Sequence, residues 1–128
     1  MPRPVHFEIH AQDPDRAEAF YRAVFGWDIQ RYEGSPVDYR LITTGPDDAP
    51  GINGAIIERQ GPPPESHPAV SAYVCTIGIA SIEETEGAVV GAGGEQVMDR
   101  MEVPGVGLLS YFKDTEGNLF GALEPADG

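Results

Sequence analysis

An internal repeat is the feature that most constrains the fold of this chain. His6 stands seven residues before Asp13, and Val74 stands seven residues before Ser81 in the second half of the sequence. Asp and Ser cap the N-termini of helices, so each half places a helix at the same distance after a strand-like segment. Two copies of one supersecondary unit are therefore predicted, and so few copies do not make a solenoid.

The two halves also close alike. Residues 51–58 read Gly-Ile-Asn-Gly-Ala-Ile-Ile-Glu, and residues 117–124 read Gly-Asn-Leu-Phe-Gly-Ala-Leu-Glu. The proline-rich segment between the halves cannot continue a helix or a central strand. A chain of 128 residues fits one domain. Within it we predict a first module at about 1–59, a linker at 60–68 and a second module at about 69–128.

Both predicted helices have clear start signals. Asp13 is followed by proline at the first helical position, and apolar residues then recur at three- and four-residue spacing until Gly26. Ser81 and Glu84 form a capping box, which predicts a second helix over 82–92. Alternating or β-branched segments between turn residues predict strands at 5–9, 39–44, 54–58, 72–77, 95–101, 108–113 and 118–123.

The charge balance argues against two classes of partner. Eight Lys and Arg stand against 21 Asp and Glu, for a formal net charge of -13. Nucleic acids and anionic membranes bind proteins through clustered Lys and Arg, so neither is expected as a partner. Cys75 is the single cysteine, and the sequence has no apolar signal core or span of about 20 apolar residues. We expect a cytoplasmic protein.

The first strand carries polar residues on one side. Alternation places Phe7 and Ile9 against the predicted helix, and the opposite face carries His6, Glu8 and His10. His6 and Glu8, about 6.6 Å apart at Cα, could share one ion, whereas His6 and His10, about 13 Å apart, could not. The row could also be a polar pocket wall or a partly solvated sheet face, or give His6 or Glu8 a hydrogen-bonding or acid-base role toward a ligand.

Two motifs at opposite ends of the chain resemble one family. The run Asp-Pro-Asp-Arg-Ala-Glu-Ala-Phe-Tyr-Arg-Ala-Val-Phe-Gly-Trp at 13–27 follows a strand that carries histidine. Near the other end, Pro-Gly-Val-Gly at 104–107 precedes Tyr-Phe-Lys-Asp-Thr-Glu-Gly-Asn at 111–118. Together they are similar to the opening and the closing hairpin of the glyoxalase/bleomycin-resistance/dioxygenase proteins, the vicinal oxygen chelate superfamily.

The resemblance implies an architecture and a range of activities. It implies an α+β fold of two βαβββ modules, whose curled mixed sheets face each other around a cavity with the helices outside. Members include lyases, isomerases, ring-cleaving dioxygenases, thiol transferases that inactivate antibiotics and metal-free drug-binding proteins. They usually dimerise, so a homodimer is expected. Because one fold hosts many functions, the resemblance predicts the fold more strongly than any activity.

The resemblance also implies where a metal would bind. Metal-using members hold the ion with four side chains, one from the first and one from the last strand of each module. Carried through the repeat, these positions are His6, Ala55 or Gly54, Val74 and Gly121. Only the histidine can bind a metal, and tight binding of a divalent ion needs three or four ligands, so we expect the usual site to be absent. A displaced site for Zn, Ni, Mn or Fe is the alternative.

Several other residues are candidates for a functional site. Glu58 and Glu124 stand three residues beyond the positions that lack a ligand, and an odd step along a strand reverses the face, so both are predicted to point away from the cavity unless a bulge re-aims one. Cys75 is predicted to lie buried under the second helix. The remaining candidates are a solvated linker histidine and three aromatic residues that belong to the core or the cavity: His67, Trp27, Tyr111 and Phe112.

These observations support one leading hypothesis and two alternatives. We expect a protein that binds a small organic molecule, a metabolite or a drug, in an apolar cavity with polar anchors and without the usual metal. The alternatives are a metal-dependent lyase or dioxygenase related to lactoylglutathione lyase, with ligands from His6, Glu8 and Glu58, and an inactive dimeric scaffold. The cavity residues are predicted to be His6, Glu8, His10, Val74, Thr76, Leu119, Gly121 and Leu123.

Overall fold

The structure consists of two compact units, Met1–Pro63 and Pro64–Gly128. It is a computed structural model that describes residues 3–62 and 73–126. Within these residues, each unit contains a helix and a mixed β-sheet, of four strands in the first unit and five in the second. The predicted α+β class is confirmed.

The elements of the first unit follow the order βαβββ. They are β1 (Phe7–Ala11), α1 (Pro14–Phe25), β2 (Asp28–Arg31), β3 (Tyr39–Thr43) and β4 (Gly54–Glu58). The strand order in the sheet is β1-β4-β3-β2, with β1 parallel to β4 and the other pairs antiparallel. β2 was not predicted from the sequence, because this strand contains a single apolar residue, Ile29.

Three residues fix the ends of α1. Asp13 has an extended backbone, and its Oδ1 accepts a hydrogen bond from the backbone N–H of Arg16 at 3.2 Å. Pro14 occupies the first turn, where its missing N–H leaves no helical hydrogen bond unmade. Gly26 ends the helix with a left-handed φ of 69°, and its N–H donates to the Arg22 carbonyl. The predicted first helix is confirmed.

The apolar side of α1 packs on one face of the first sheet. Phe20 and Tyr21 are buried, and Tyr21 stacks on Trp27 with ring centroids 5.2 Å apart. Ile42 and Ile56 are buried and lie on the same face of the sheet. Each side chain of this size stabilises the fold by about 1.5–3 kcal/mol when fully buried, so this layer holds the helix on the sheet.

β1 and β4 approach each other closely at Gly54. A Cβ atom on this residue would lie 2.4 Å from the Phe7 carbonyl oxygen and 2.7 Å from the Phe7 ring. Phe7 and Gly54 are partners in the register of the two strands, so the phenyl ring lies over the glycine backbone. Any side chain at this position would force the two strands apart.

A buried arginine joins β3 to α1. The Arg40 side chain is 8% exposed and is bound by three carboxylates. It donates two hydrogen bonds of 2.8 Å to Asp38, and it reaches Glu18 at 3.2 Å and Asp15 at 2.8 Å on the helix. A buried charge is tolerated when it is paired and hydrogen-bonded in this way. The hydrogen bonds from Arg40 lower the pKa of Asp38 to about 2.

The second unit repeats this arrangement with one strand more. Its elements are β5 (Thr76–Gly78), α2 (Ile82–Gly91), β6 (Glu95–Gln96), β7 (Met101–Val103), β8 (Gly107–Lys113) and β9 (Leu119–Pro125). The strand order is β5-β9-β8-β6, and β7 also pairs with β8. β5 and β9 are parallel and the other pairs are antiparallel. β5 therefore corresponds to β1, and β9 corresponds to β4.

One of the two hydrogen bonds of the predicted capping box is present at the start of α2. The Ser81 hydroxyl oxygen accepts a hydrogen bond from the Glu84 N–H at 3.2 Å. The helix ends at Gly91, and the Gly94 N–H closes its last turn by donating to the Val89 carbonyl at 2.8 Å. The apolar core of this unit comprises Ile82, Val89, Phe112, Phe120 and Ala122.

The prediction of one strand at 95–101 is wrong, because the chain forms β6 and β7 there. Pairing with β8 shifts by two residues between these short strands. The Met98 carbonyl lies inside the shift and accepts hydrogen bonds from the Ser110 hydroxyl at 2.7 Å and the Gln96 amide at 3.1 Å. Side-chain donors thus stabilise a bulge where the pattern predicted a continuous ladder.

The prediction that Cys75 is buried under the second helix is also wrong, since this residue is exposed. β5 begins one residue later and is a three-residue strand at the edge of the sheet. α2 packs on β6, β8 and β9. Cys75 therefore lies beyond the part of the sheet that the helix covers.

We predict that Gly54→Ala lowers the free energy of unfolding by about 2 kcal/mol, because β1 and β4 must separate to admit a methyl group. Gly45→Ala is the matched control, since a Cβ at Gly45 would meet nothing within 4 Å. Urea unfolding followed by circular dichroism measures both variants. Equal stability of the two would contradict the close approach of Phe7 and Gly54.

A second prediction concerns the stability that Asp38 contributes. Because its pKa falls from 3.8 to about 2 on folding, the contribution is present above about pH 4 and is lost as the pH falls toward 2. Asp38→Asn should therefore cost about 2 kcal/mol at pH 7, and its difference from wild type should shrink between pH 4 and pH 2.5. Urea unfolding across this range measures the difference, with Asp47→Asn, on an exposed loop, as the control. A difference that stays constant with pH would refute the assignment.

Candidate functional site

The face of the first sheet that points away from α1 carries the polar row of β1. The Glu8 carboxylate lies between two imidazoles, with Oε2 3.8 Å from His6 Nε2 and Oε1 3.7 Å from His10 Nε2. The three side chains are between 39% and 50% exposed. The structure thus brings these predicted residues together on one open face, with the carboxylate at the centre.

Tyr39 joins this row from β3. Its hydroxyl lies 3.4 Å from His6 Nε2 and donates to Glu8 Oε2 at 3.4 Å. Tyr39 and His10 are both register partners of Ile57 on β4, which places all three on the same face. Tyr39 could not be predicted from the sequence, because its register against β1 runs through β4 and cannot be read from either strand alone. We call His6, Glu8, His10 and Tyr39 the polar cluster.

Tyr39 is held in its protonated form. Burial raises the pKa of its phenol, and the charge of Glu8 and the hydrogen bond to it raise this pKa further. An ordinary tyrosine already titrates near pH ~10. At neutral pH the phenol is therefore a hydrogen-bond donor, and Glu8 supplies the formal negative charge of the polar cluster.

The register of the last strand in each unit resolves the choice between Ala55 and Gly54. Glu8 pairs with Ala55 in the first unit, and Thr76 pairs with Gly121 in the second. The two pairs correspond through the repeat, so Ala55 is the counterpart of Gly121. Neither alanine nor glycine offers a side-chain donor atom to a metal.

The open face of the second sheet is less polar. Thr76 is exposed, whereas Gly121 is buried beside it. A Cβ atom on Gly121 would lie 3.1 Å from the Thr76 hydroxyl oxygen and 3.1 Å from the Tyr111 ring, so that ring lies across the glycine. The other predicted cavity residues of this unit are half-buried: Val74, Leu119 and Leu123.

Glu58 and Glu124 lie on the helix side of their sheets. Glu58 is the register partner of Ala11, on the same face as the core residues of β1. Glu124 Oε1 accepts a hydrogen bond from the Ile82 N–H at 2.9 Å, where its charge favours the N-terminus of α2. The alternation of faces along a strand therefore predicted the orientation of both glutamates correctly.

The residues present do not fit the four-ligand metal site that the resemblance implies. Of the four positions, those of Ala55, Val74 and Gly121 carry no ligand, and only His6 can bind an ion. Within the described part of each unit, no three His, Cys, Asp or Glu side chains are close enough to hold one ion. Glu58 and Glu124 point to the other face and do not complete the set.

A concavity of about 330 Å³ lies in the second unit. It is bounded by the loop between β7 and β8 and by the end of β9. Glu102 and Glu124 are its charged residues, and Glu124 is already bonded to the backbone of α2. None of the eight predicted cavity residues lines it.

Two of the remaining candidates, Trp27 and Phe112, belong to the core. Trp27 is buried in an aromatic stack with Tyr21, and Phe112 is buried with its ring centroid 5.6 Å from that of Phe120. His67 lies outside the described residues. Among the helices of the described segments, none has the length and apolar character needed to span a membrane.

Comparison with known sequences finds a family match within the first unit and relatives that align over most of the chain. Residues 3–45 match the family described as bleomycin resistance protein-like N-terminal. The candidate glyoxylase CFP32 of Mycobacterium bovis, and its namesake of Mycobacterium tuberculosis, are each 27% identical over 120 residues. The alignment covers 93% of this chain and 42% of each relative, so the chain spans about two-fifths of the length of these curated relatives.

Comparison with solved structures finds the same fold in several proteins. The fosfomycin resistance protein FosX of Listeria monocytogenes has a TM-score of 0.73 at 19% identity, covering 98% of this chain and 94% of that one. A glyoxylase/bleomycin resistance protein/dioxygenase domain from Frankia sp. EAN1pec scores 0.71 at 17% identity, covering 98% and 99%. A hypothetical protein from S. aureus, SA1046, scores 0.68 at 23% identity, covering 97% of each chain. At these identities the likeness shows the fold.

We predict that Glu8→Gln lowers the pKa of the Tyr39 phenol, because the substitution removes the nearby negative charge while burial of the ring persists. NMR titration of ¹³Cζ-labelled tyrosines measures it, and Tyr39→Phe assigns the resonance. Glu33→Gln removes the same charge from an exposed turn and should leave the Tyr39 titration unchanged. An unchanged titration in Glu8→Gln would show that the two side chains do not meet.

Proposed function

We propose that this chain, which resembles the glyoxalase/bleomycin-resistance/dioxygenase proteins, binds a small organic molecule, a metabolite or a drug. Binding takes place on the open sheet faces, without the four-ligand metal site of metal-using members. The observation that carries the proposal is the polar cluster, which stands on an open sheet face and offers several hydrogen-bonding groups. A few polar groups on an otherwise apolar surface are the usual composition of a ligand site.

The polar cluster supplies the anchors. Glu8 is an acceptor, the Tyr39 phenol is held as a donor, and each imidazole can donate or accept according to its tautomer. Leu41 of β3, which is 46% exposed, and the half-buried Ile57 of β4 lie on the same face and provide apolar surface beside these groups. A ligand can therefore meet both kinds of contact on the first unit alone.

The second unit contributes apolar contacts in this proposal. Thr76, Gly121 and the ring of Tyr111 meet on its open face. Val74 and Thr76 take the places that His6 and Glu8 hold in the first unit, and so they replace charge with a β-branched surface. The prediction that both sets of residues line one cavity remains part of the proposal.

A metal-dependent lyase or dioxygenase is the second candidate. One observation favours it: a single-residue variant of FosX from Listeria monocytogenes was crystallised with Mn(II) and 1S,2S-dihydroxypropylphosphonic acid. In this chain His6 and Glu8 could contribute to an ion, whereas three of the four family positions carry no ligand. The binding function therefore accounts for the residues present better than the metal-dependent reaction does.

A thermal-shift screen with metabolites and antibiotics, fosfomycin and bleomycin included, tests the proposal. We predict that at least one compound raises the melting temperature of wild type by several degrees, because a ligand at 100 times its Kd adds about 2.7 kcal/mol of stability. His6→Ala and Gly121→Phe should lose this shift. Glu33→Gln, which changes an exposed turn, should keep it.

Other outcomes distinguish the alternatives. Metal-free protein is titrated in parallel with Zn, Ni, Mn or Fe, and stoichiometric binding that His6→Ala abolishes would favour the metal-dependent enzyme. Stabilisation by no compound and no ion would leave the inactive scaffold, for which light scattering should then report a dimer. Gly121→Phe is interpreted only if it unfolds cooperatively, since its side chain must displace the Tyr111 ring.

A further inference from the structure

We infer that the ligand presents a positively charged amine to Glu8, and that the first unit discriminates against phosphonates and carboxylates. This inference rests on the proposed binding function and specifies the ligand class. It follows from the charges on the open face of the first sheet and from the way in which the Glu8 carboxylate is bonded.

The formal charges on this face are all negative among the described strand residues. Glu8 lies on β1, and Asp28 lies on β2 in the register that shares its face. Asp28 is the partner of Thr43, two residues along β3 from Leu41, which is itself the partner of Ala55. A ligand on this face therefore meets carboxylates at both edges of the sheet.

Four of the six cations of the first unit, counted among residues 3–62, lie on the helix side of the sheet. Two are on α1, and two form a register pair on the helix side of β2 and β3, where both bind Asp38. One precedes β1, and one follows β4 and donates to the His10 carbonyl at 2.7 Å. The two on α1 are Arg16 and Arg22, and the register pair is Arg31 and Arg40. Arg3 precedes β1, and Arg59 follows β4.

The bonding of Glu8 leaves one side of its carboxylate for a ligand. Oε2 accepts the hydrogen bond from Tyr39, whereas Oε1 lies 3.7 Å from His10 Nε2, which exceeds hydrogen-bonding distance. The side chain is 39% exposed. An ammonium group at Oε1 would form a charge-assisted hydrogen bond, and the phenol oxygen of Tyr39 could accept a second N–H.

Arg59, the cation that reaches the polar cluster, is bonded to the His10 carbonyl and the Gln12 side chain and not to Glu8. A phosphonate or carboxylate beside Glu8 would meet a like charge, with donors only from the phenol and the imidazoles. Recognition of such anions depends on Arg or Lys, which supply charge-assisted hydrogen bonds. The diol phosphonate present in the FosX variant structure is therefore a class of ligand that this face should reject.

Three probes of matched shape test the inference: benzylamine, benzyl alcohol and benzylphosphonate. NMR titration of ¹⁵N-labelled protein at pH 7.5 gives a Kd for each and shows whether β1 amides respond. We expect benzylamine to bind about tenfold more tightly than benzyl alcohol, since one charge-assisted hydrogen bond distinguishes them. Benzylphosphonate should cause no saturable shift.

Glu8→Gln should weaken benzylamine binding about tenfold and leave the benzyl alcohol Kd unchanged. Glu33→Gln removes the same formal charge from the chain and should change neither value. The amide spectrum of each variant reports whether it is folded.

Equal binding of benzylamine and benzyl alcohol, tighter binding of benzylphosphonate, or no binding by any probe would overturn the inference. The binding function fails separately, when the wider metabolite and antibiotic panel stabilises nothing. Tight binding of an anion from that panel would uphold the function and refute the ligand class.

Discussion

A single helix on each sheet is the constraint from which the rest of the structure follows. Because α1 covers one face of the first sheet, the strands must alternate, with apolar residues toward the helix and other residues toward the open face. Phe7 and Ile9 satisfy the helix side, and this fixes where His6, Glu8 and His10 point. The polar row is thus positioned by packing on the opposite face, and a one-residue slip of β1 would exchange the two sets.

The same coupling operates on β3, where neighbouring residues serve opposite faces. Arg40 binds Asp38 and the two acids of α1, which fixes the strand against the helix. Tyr39, one residue earlier, is thereby directed to Glu8 on the open face. The close contact of Phe7 with Gly54 holds β1 against β4 in the register that this arrangement needs. The contacts that stabilise the helix side of the sheet therefore also hold the polar groups of the open face in position.

Local sequence signals predicted the features that local chemistry decides. The caps at Asp13 and Ser81 and the orientation of Glu58 and Glu124 depend on a few neighbouring residues, and the structure agrees with the sequence there. Tyr39 depends on a register that passes through a third strand. The bulge between β6 and β7 depends on side chains from two strands. Such contacts join distant segments, so periodicity within one segment cannot reveal them.

The correspondence between the two units also shows where they differ. Phe7 faces Gly54 in the first unit, and their counterparts in the second are Cys75 and Phe120, so the large and the small residue have exchanged strands. Phe120 is buried in its own core, whereas Cys75 is exposed. On the open faces the change is chemical, since Val74 and Thr76 stand where His6 and Glu8 stand. Metal ligation from both halves would need donor atoms at both sets of positions. In this sequence the first unit carries polar side chains at these positions, and the second carries Val74 and Thr76.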